Sequence, residues 1–361
     1  MKNKKIQETL ESKYIETLDF KERYIKYSQG ELIETSGPRI KIDTGFRCNA
    51  SCYFCYYRNG INDEIIPSKD VIIEINQAKE LGFKRIEFSG GESSIHPDFL
   101  RWIKYSSDLD LIPSTVTNAL AFYDFNYLDD AIDLGLTELL ISIHGSKNTH
   151  DQVIDPQHKL SFSPYQNILN IFKNYSHKIK IRFNITISNK NILELKNIIE
   201  NLNNINTSGA QIEINLLPLN LWSDAKDLKT LKYNEMHSKY FIEALELLEK
   251  YRNTFFIHYE TFCNIPEKFH KNILTHYDHF FTENDWYPLF TFKEDINRIW
   301  ELCQERGTLF LEDIDLQEEL FRSHMKRVRI SSQYSKDITD EKVCLFCEKA
   351  SICDGFKKSI Q

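Results

Sequence analysis

The chain has 361 residues, is 41% hydrophobic and carries a formal net charge of −8 at a sequence pI near 5.8. That length supports one large α/β domain with an appendage, or two domains. The acidic balance, with Lys326-Arg327-Val328-Arg329 as its one short basic run, argues against a nucleic-acid substrate, which needs clustered cations for its phosphates.

No apolar run is long enough to span a bilayer, and Met1-Lys2-Asn3-Lys4-Lys5 leads into polar sequence rather than an apolar signal core, so the expected location is cytoplasmic. In such a compartment the eight cysteines point to metal ligation rather than disulfides.

Residues 1–37 form a helical lead-in, with Ile6, Leu10, Tyr14 and Leu18 at helical spacing and a break at Gly37-Pro38. From residue 38 to 252 strand and helix signals alternate. Strands are expected at 39–44, 84–89, 111–117, 139–143, 178–187 and 211–217, the last stopped by Pro218. Helices are expected at 68–81, capped by Ser68, and at 97–107, 126–134, 164–175, 191–202 and 235–251. Six strand–helix units predict a parallel sheet curled into a partial (β/α)6 barrel, with its site at the C-terminal strand ends. Residues 253–361 lose this pattern and are expected to form a lid and a cysteine-rich extension.

The first strand runs into Gly45-Phe46-Arg47-Cys48-Asn49-Ala50-Ser51-Cys52-Tyr53-Phe54-Cys55, which sets three cysteines at C-x3-C-x2-C. A closed zinc site or an ordinary [4Fe–4S] cluster takes four ligands. Three thiolates on a cubane leave one iron open to a chelating ligand. Three unrelated thiols, or a zinc knuckle with a distant fourth ligand, are the plainer alternatives.

Phe88-Ser89-Gly90-Gly91-Glu92 follows the second strand. Its glycines permit positive φ and close backbone approach, and its carboxylate suits a cationic amino group. A lone Gly-Gly-Glu is otherwise an ordinary turn. Thr117-Asn118 ends the third strand, and Ile141-Ser142-Ile143-His144-Gly145 ends the fourth. On the fifth, Arg182, Asn184 and Thr186 share one face, expected to be the barrel interior, while Ile181, Phe183, Ile185 and Ile187 pack beneath the helices. Interior polar groups need partners, from a polar cofactor or from a structural network. Near the C-terminus, Cys344, Cys347 and Cys353 form C-x2-C-x5-C.

Together these motifs resemble the radical S-adenosylmethionine (radical SAM) superfamily over residues 38–218. The resemblance implies a [4Fe–4S] cluster on Cys48, Cys52 and Cys55 whose open iron is chelated by SAM. It implies reductive cleavage of SAM to a 5′-deoxyadenosyl radical that abstracts a substrate hydrogen atom. It further implies SAM contacts from Phe54, Gly90, Gly91, Glu92, Thr117, Asn118, Ser142, His144, Arg182, Asn184 and Leu217. Ala119 stands where the family's T-N-G element has glycine.

Residues 259–355 resemble the SPASM and Twitch extensions of radical SAM maturases. That implies one auxiliary [4Fe–4S] cluster on Cys344, Cys347 and Cys353, with Cys263 or Cys303 as fourth ligand. Cys263 is preferred because related chains place a ligand there, and structural zinc is the rival. The implied partners are a peptide or small-molecule substrate and a flavodoxin- or ferredoxin-type electron donor. An epimerase using Cys303 as hydrogen donor, and a non-catalytic iron–sulfur or zinc-stabilised protein, are the alternatives.

Overall fold

The computed structural model describes residues 39–55, 65–218, 235–258, 265–274, 293–310 and 312–320, with the single positions 21, 262 and 322. Eight parallel strands lie in sequential order in one sheet: β1 (Arg39–Asp43), β2 (Arg85–Ser89), β3 (Ile112–Thr117), β4 (Glu138–Ser142), β5 (Lys180–Ile187), β6 (Glu213–Pro218), β7 (Thr254–His258) and β8 (Ile273–Leu274). The six expected strands are all present. The sheet continues through β7 and β8, past the boundary expected at residue 252, because Phe255 and Ile257 bury as the earlier strands' apolar residues do.

Parallel neighbours require crossovers. Helices α1 (Ser68–Glu80), α2 (Phe99–Asp108), α3 (Phe125–Asp133), α4 (Lys147–Ile154), α5 (Pro164–Tyr175), α6 (Leu195–Ile205) and α7 (Glu235–Lys250) supply those from β1 to β7, a 3-10 turn at Glu267–Asn272 precedes β8, and α8 (Lys293–Arg306) follows the last strand. Helix α4 falls in a stretch to which the sequence assigned no element. Ser68 was expected to cap α1. Pro67 takes that position instead, and the Ser68 hydroxyl accepts the Trp102 indole N–H at 2.8 Å. Among the described residues no helix is long and apolar enough to cross a membrane.

The two sheet faces differ sharply. Ile40, Ile42, Ile86, Phe88, Leu139, Ile141, Phe183, Ile185, Ile214 and Leu216 are fully buried in the layer between sheet and helices. Phe183 meets Phe172 of α5 edge to face at 5.1 Å. The alternate positions face inward, and the lowest of them are charged. Arg39 of β1 binds Glu138 of β4 at 3.0 Å and Glu87 of β2 at 2.6 Å, and Arg182 of β5 reaches Glu87 at 3.3 Å. Strands three places apart in a flat sheet lie about 14 Å from each other. These pairs therefore close across the hollow of a curled sheet, and they form its floor.

Candidate active site

The cysteine loop leaves β1 at the C-terminal mouth of the sheet and is tied down by backbone. Thr44 N–H donates to Ser89 O at 2.9 Å, Gly91 N–H to Gly45 O at 2.8 Å and Glu92 N–H to Arg47 O at 2.9 Å. Gly90 has φ +119°, and a Cβ on Gly91 would stand 2.2 Å from Arg47 O and 2.5 Å from Phe46 O. The close approach expected of these glycines is thus made to the cysteine loop itself. Further along, Ser51 N–H donates to Ile154 O of α4 at 3.0 Å, and the Tyr53 hydroxyl meets Ser188 Oγ at 2.6 Å. Lys190 Nζ sits 4.0 Å over the Tyr53 ring. Tyr53 and Ser188 thereby pin the loop to the end of β5, a role with no motif to announce it.

Glu92 is buried, with burial pushing its carboxyl above the usual range. Its Oε1 accepts from Ser94 Oγ at 2.5 Å and Thr117 Oγ1 at 2.7 Å, and its Oε2 accepts the Asn118 backbone N–H at 2.6 Å. A carboxylate offers about four acceptor sites, and these contacts take three of them. Glu92 is a strut between the β2 and β3 ends.

Asn118 reaches back to the loop. Its Nδ2 donates to Asn49 Oδ1 at 2.8 Å and lies 3.8 Å from Cys48 Sγ, while its Oδ1 accepts from Leu120 N–H at 2.9 Å. Ala119 holds φ +64°, a left-handed backbone that glycine adopts without strain.

On the far side Phe54 meets His144 edge-on at 4.7 Å. His144 Nδ1 accepts the Thr186 N–H at 3.2 Å, which places the ring proton on Nε2. Burial pushes its pKa down to about 3, so the ring is neutral. The His144 N–H donates to His150 Nδ1 at 3.0 Å, and the Asn191 amide bridges His144 O at 2.9 Å and Thr186 O at 2.7 Å. His150, Asn191 and Asn49 were not singled out from the sequence, because their partners, His144, Thr186 and Asn118, come from other strand ends or across a loop.

Ser142, Asn184 and Leu217 lie on the interior face, partly exposed. Arg182 shares that face but sits lower. Its guanidinium pairs with Glu138, Glu87 and Glu213, and it is 1% exposed. The structure therefore puts Arg182 in the floor, apart from the cysteines. Cys263, Cys344, Cys347 and Cys353 lie outside the described residues. Cys303 is buried on α8 within the outer hydrophobic layer, which removes it from the interior.

Three thiols on one loop are the donor type of an iron–sulfur cluster. Among the described residues no three His, Cys, Asp or Glu side chains converge on a single-ion site, and a cubane binds each thiolate through a different iron. The Cys48 thiol is pushed up to about 12, first by burial and then by the Glu92 carboxylate. Coordination reverses this, because a metal-bound thiol is deprotonated outright.

Residues 42–202 match the model of the Radical SAM superfamily. Over 159 residues, 42% of the chain, the sequence is 27% identical to the sporulation killing factor maturation protein SkfB of Bacillus subtilis, covering 36% of that protein. Over 80 residues, 22% of the chain, it is 31% identical to the probable GTP 3′,8-cyclase of Methanothermobacter marburgensis, covering 26% of it. The matches thus span about a third or less of these relatives' own lengths. Streptococcus suis SuiB shares the fold at a TM-score of 0.53 and 16% identity, over 92% of this chain and 76% of that one.

Proposed function

We propose that this chain, whose residues 42–202 form a radical SAM domain, reductively cleaves SAM and uses the 5′-deoxyadenosyl radical to take a hydrogen atom from its substrate. The observation that carries this reading is the Gly90-Gly91-Glu92 turn. It is bonded to the backbone of the cysteine loop on one side and to Thr117 and Asn118 on the other.

Cys48, Cys52 and Cys55 would hold a [4Fe–4S] cluster with one open iron, which would supply the electron for reductive cleavage of SAM. The chain's own residues position and protect. Asn118 directs an amide N–H at Cys48 Sγ, which stabilises thiolate charge. Phe54 and Tyr53 cover the loop with aromatic surface, which excludes water. His144, neutral with its proton on Nε2, serves as a hydrogen-bond donor, with Ser142 and Asn184 on the wall below it and Leu217 level with Thr186.

The chain's C-terminal cysteines would hold one auxiliary [4Fe–4S] cluster, to relay an electron if Cys263 is its fourth ligand or to bind substrate if that iron is left open. A flavodoxin- or ferredoxin-type protein would reduce the first cluster. The two sequence relatives, a maturation protein and a GTP cyclase by name, support a peptide or a small molecule as substrate. The burial of Cys303 speaks against its serving as hydrogen donor in an epimerase.

Anaerobic reconstitution with iron and sulfide counts, then SAM and dithionite, tests the reading. About eight irons in wild type, about four in Cys48→Ala/Cys52→Ala/Cys55→Ala, and 5′-deoxyadenosine from wild type alone are expected. A fully loaded wild type that yields none, with and without candidate substrates, sinks the proposal.

A further inference from the structure

Above the ion-paired floor, one level of the sheet interior is polar but uncharged. Register places Ser142 of β4 beside Asn184 of β5, Asn184 beside Asn215 of β6, and Asn215 beside Phe256 of β7. Ile214 and Leu216 are fully buried toward the helices, so Asn215 between them points inward. Asn215 is 3% exposed, and its Oδ1 is buried with no hydrogen-bond partner among the described residues. A buried amide oxygen without a partner is costly, and most native ones are satisfied. Phe256, the next residue along the row, is partly exposed and offers an apolar wall.

We infer that Asn215 is a substrate-recognition residue, accepting a hydrogen bond from a neutral N–H or O–H group whose apolar portion rests on Phe256. The inference rests on the reading of Ser142 and Asn184 as the SAM-facing end of this row, and extends the row to the substrate. The group is neutral because the row holds no charge. The charges one level below are already paired, Arg182 with Glu138 and with Glu213. A charged group placed here would be buried without a counter-ion. Peptide amides and sugar hydroxyls both carry this chemistry.

The test uses the full-length, anaerobically reconstituted protein with SAM bound, as wild type, Asn215→Leu and Asn215→Ala. The probes are N-acetyl-phenylalaninamide, phenyl β-glucoside and, as the charged control, N-acetyl-phenylalanine, with binding followed by equilibrium dialysis. A neutral probe is expected to bind wild type about tenfold more tightly than either variant, and more tightly than the charged control binds. The amide or the glucoside being the better probe identifies the source of the donor. Asn215→Leu is also expected to unfold at no lower a denaturant concentration than wild type, since it removes an unpaired buried oxygen. Equal binding by all three proteins, preference for the carboxylate, no binding of either neutral probe, or marked destabilisation by Asn215→Leu overturns the inference. Failure of wild type to form 5′-deoxyadenosine in the same preparation counts against the SAM reading instead.

Discussion

The Glu92 carboxylate accepts the backbone N–H of Asn118 at 2.6 Å, joining the turn after β2 to the end of β3. Both partners also touch the cysteine loop, Glu92 through its N–H to Arg47 O and Asn118 through Asn49. One carboxylate therefore fixes the geometry of three segments. Glu92→Gln replaces one acceptor oxygen by a donor that faces donors already in place. A loss of about 1–3 kcal/mol in denaturant unfolding is expected, with reduced iron retention after reconstitution. An unchanged midpoint would show that Glu92 is not a strut.

Gly91→Ala tests the contact between the turn and the loop. The added methyl would meet two backbone carbonyls, at 2.2 and 2.5 Å, and backbone cannot swing aside as a side-chain tip does. The variant should keep its far-ultraviolet circular dichroism, because the sheet is untouched, yet fail to hold the first cluster. Iron analysis after reconstitution reads the loss, and wild-type iron content would contradict it.

Ala119 at φ +64° carries backbone strain of about 1–2 kcal/mol that glycine would not. Ala119→Gly relieves it but loosens the unfolded chain, which costs about 0.4–1 kcal/mol. The expected net effect is a gain of up to about 1.6 kcal/mol in stability by chemical denaturation. Ala119→Val, with a branched side chain in the same backbone, should destabilise.

Arg182 separates a structural from a cofactor-binding role. It lies in the floor with Glu138, Glu87 and Glu213, and Arg182→Met removes one cation from a buried network in which Arg39 still pairs with Glu138 and Glu87, so it should cost about 1.5–3 kcal/mol. SAM affinity in folded, reconstituted protein should change far less than stability. The floor also carries a pH dependence. Burial alone would raise the Glu138 pKa, but Arg182 and Arg39 outweigh it and hold the carboxyl well below its ordinary value near 4.5. Its contribution is present above the unfolded pKa and is lost as pH falls below about 4.5. Wild type should lose stability across that range, and Glu138→Gln, already weakened, should lose less. A dominant effect on SAM binding would return Arg182 to the site.

Much of the fold was legible. Period-two alternation in β5 identified the inward trio Arg182, Asn184 and Thr186 and the outward Phe183 and Ile185, and the strands fall in the predicted order. The count of six was short by two. β7 lies in the stretch where the strand–helix alternation was expected to have ended, nothing local says that it joins the same sheet, and β8 is two residues long. Helix α4 was missed because its N-terminus is held from a distance. Glu194 accepts from Ser146 N–H and Ser146 Oγ at 2.7 Å and from Thr149 Oγ1 at 2.6 Å.

The sequence by itself determined the chemistry on offer: three thiols on one loop after the first strand, a glycine turn after the second, and polar residues on the inner face of the fifth. A local spacing suffices for these, because neighbours in the chain are neighbours in space. Only the tertiary structure decided height within the barrel. Alternation says which face a side chain takes, but strand register says what lies level with it. Register puts Arg182 beside Glu213 in the floor, and sets Asn184, one step higher, between Ser142 and Asn215.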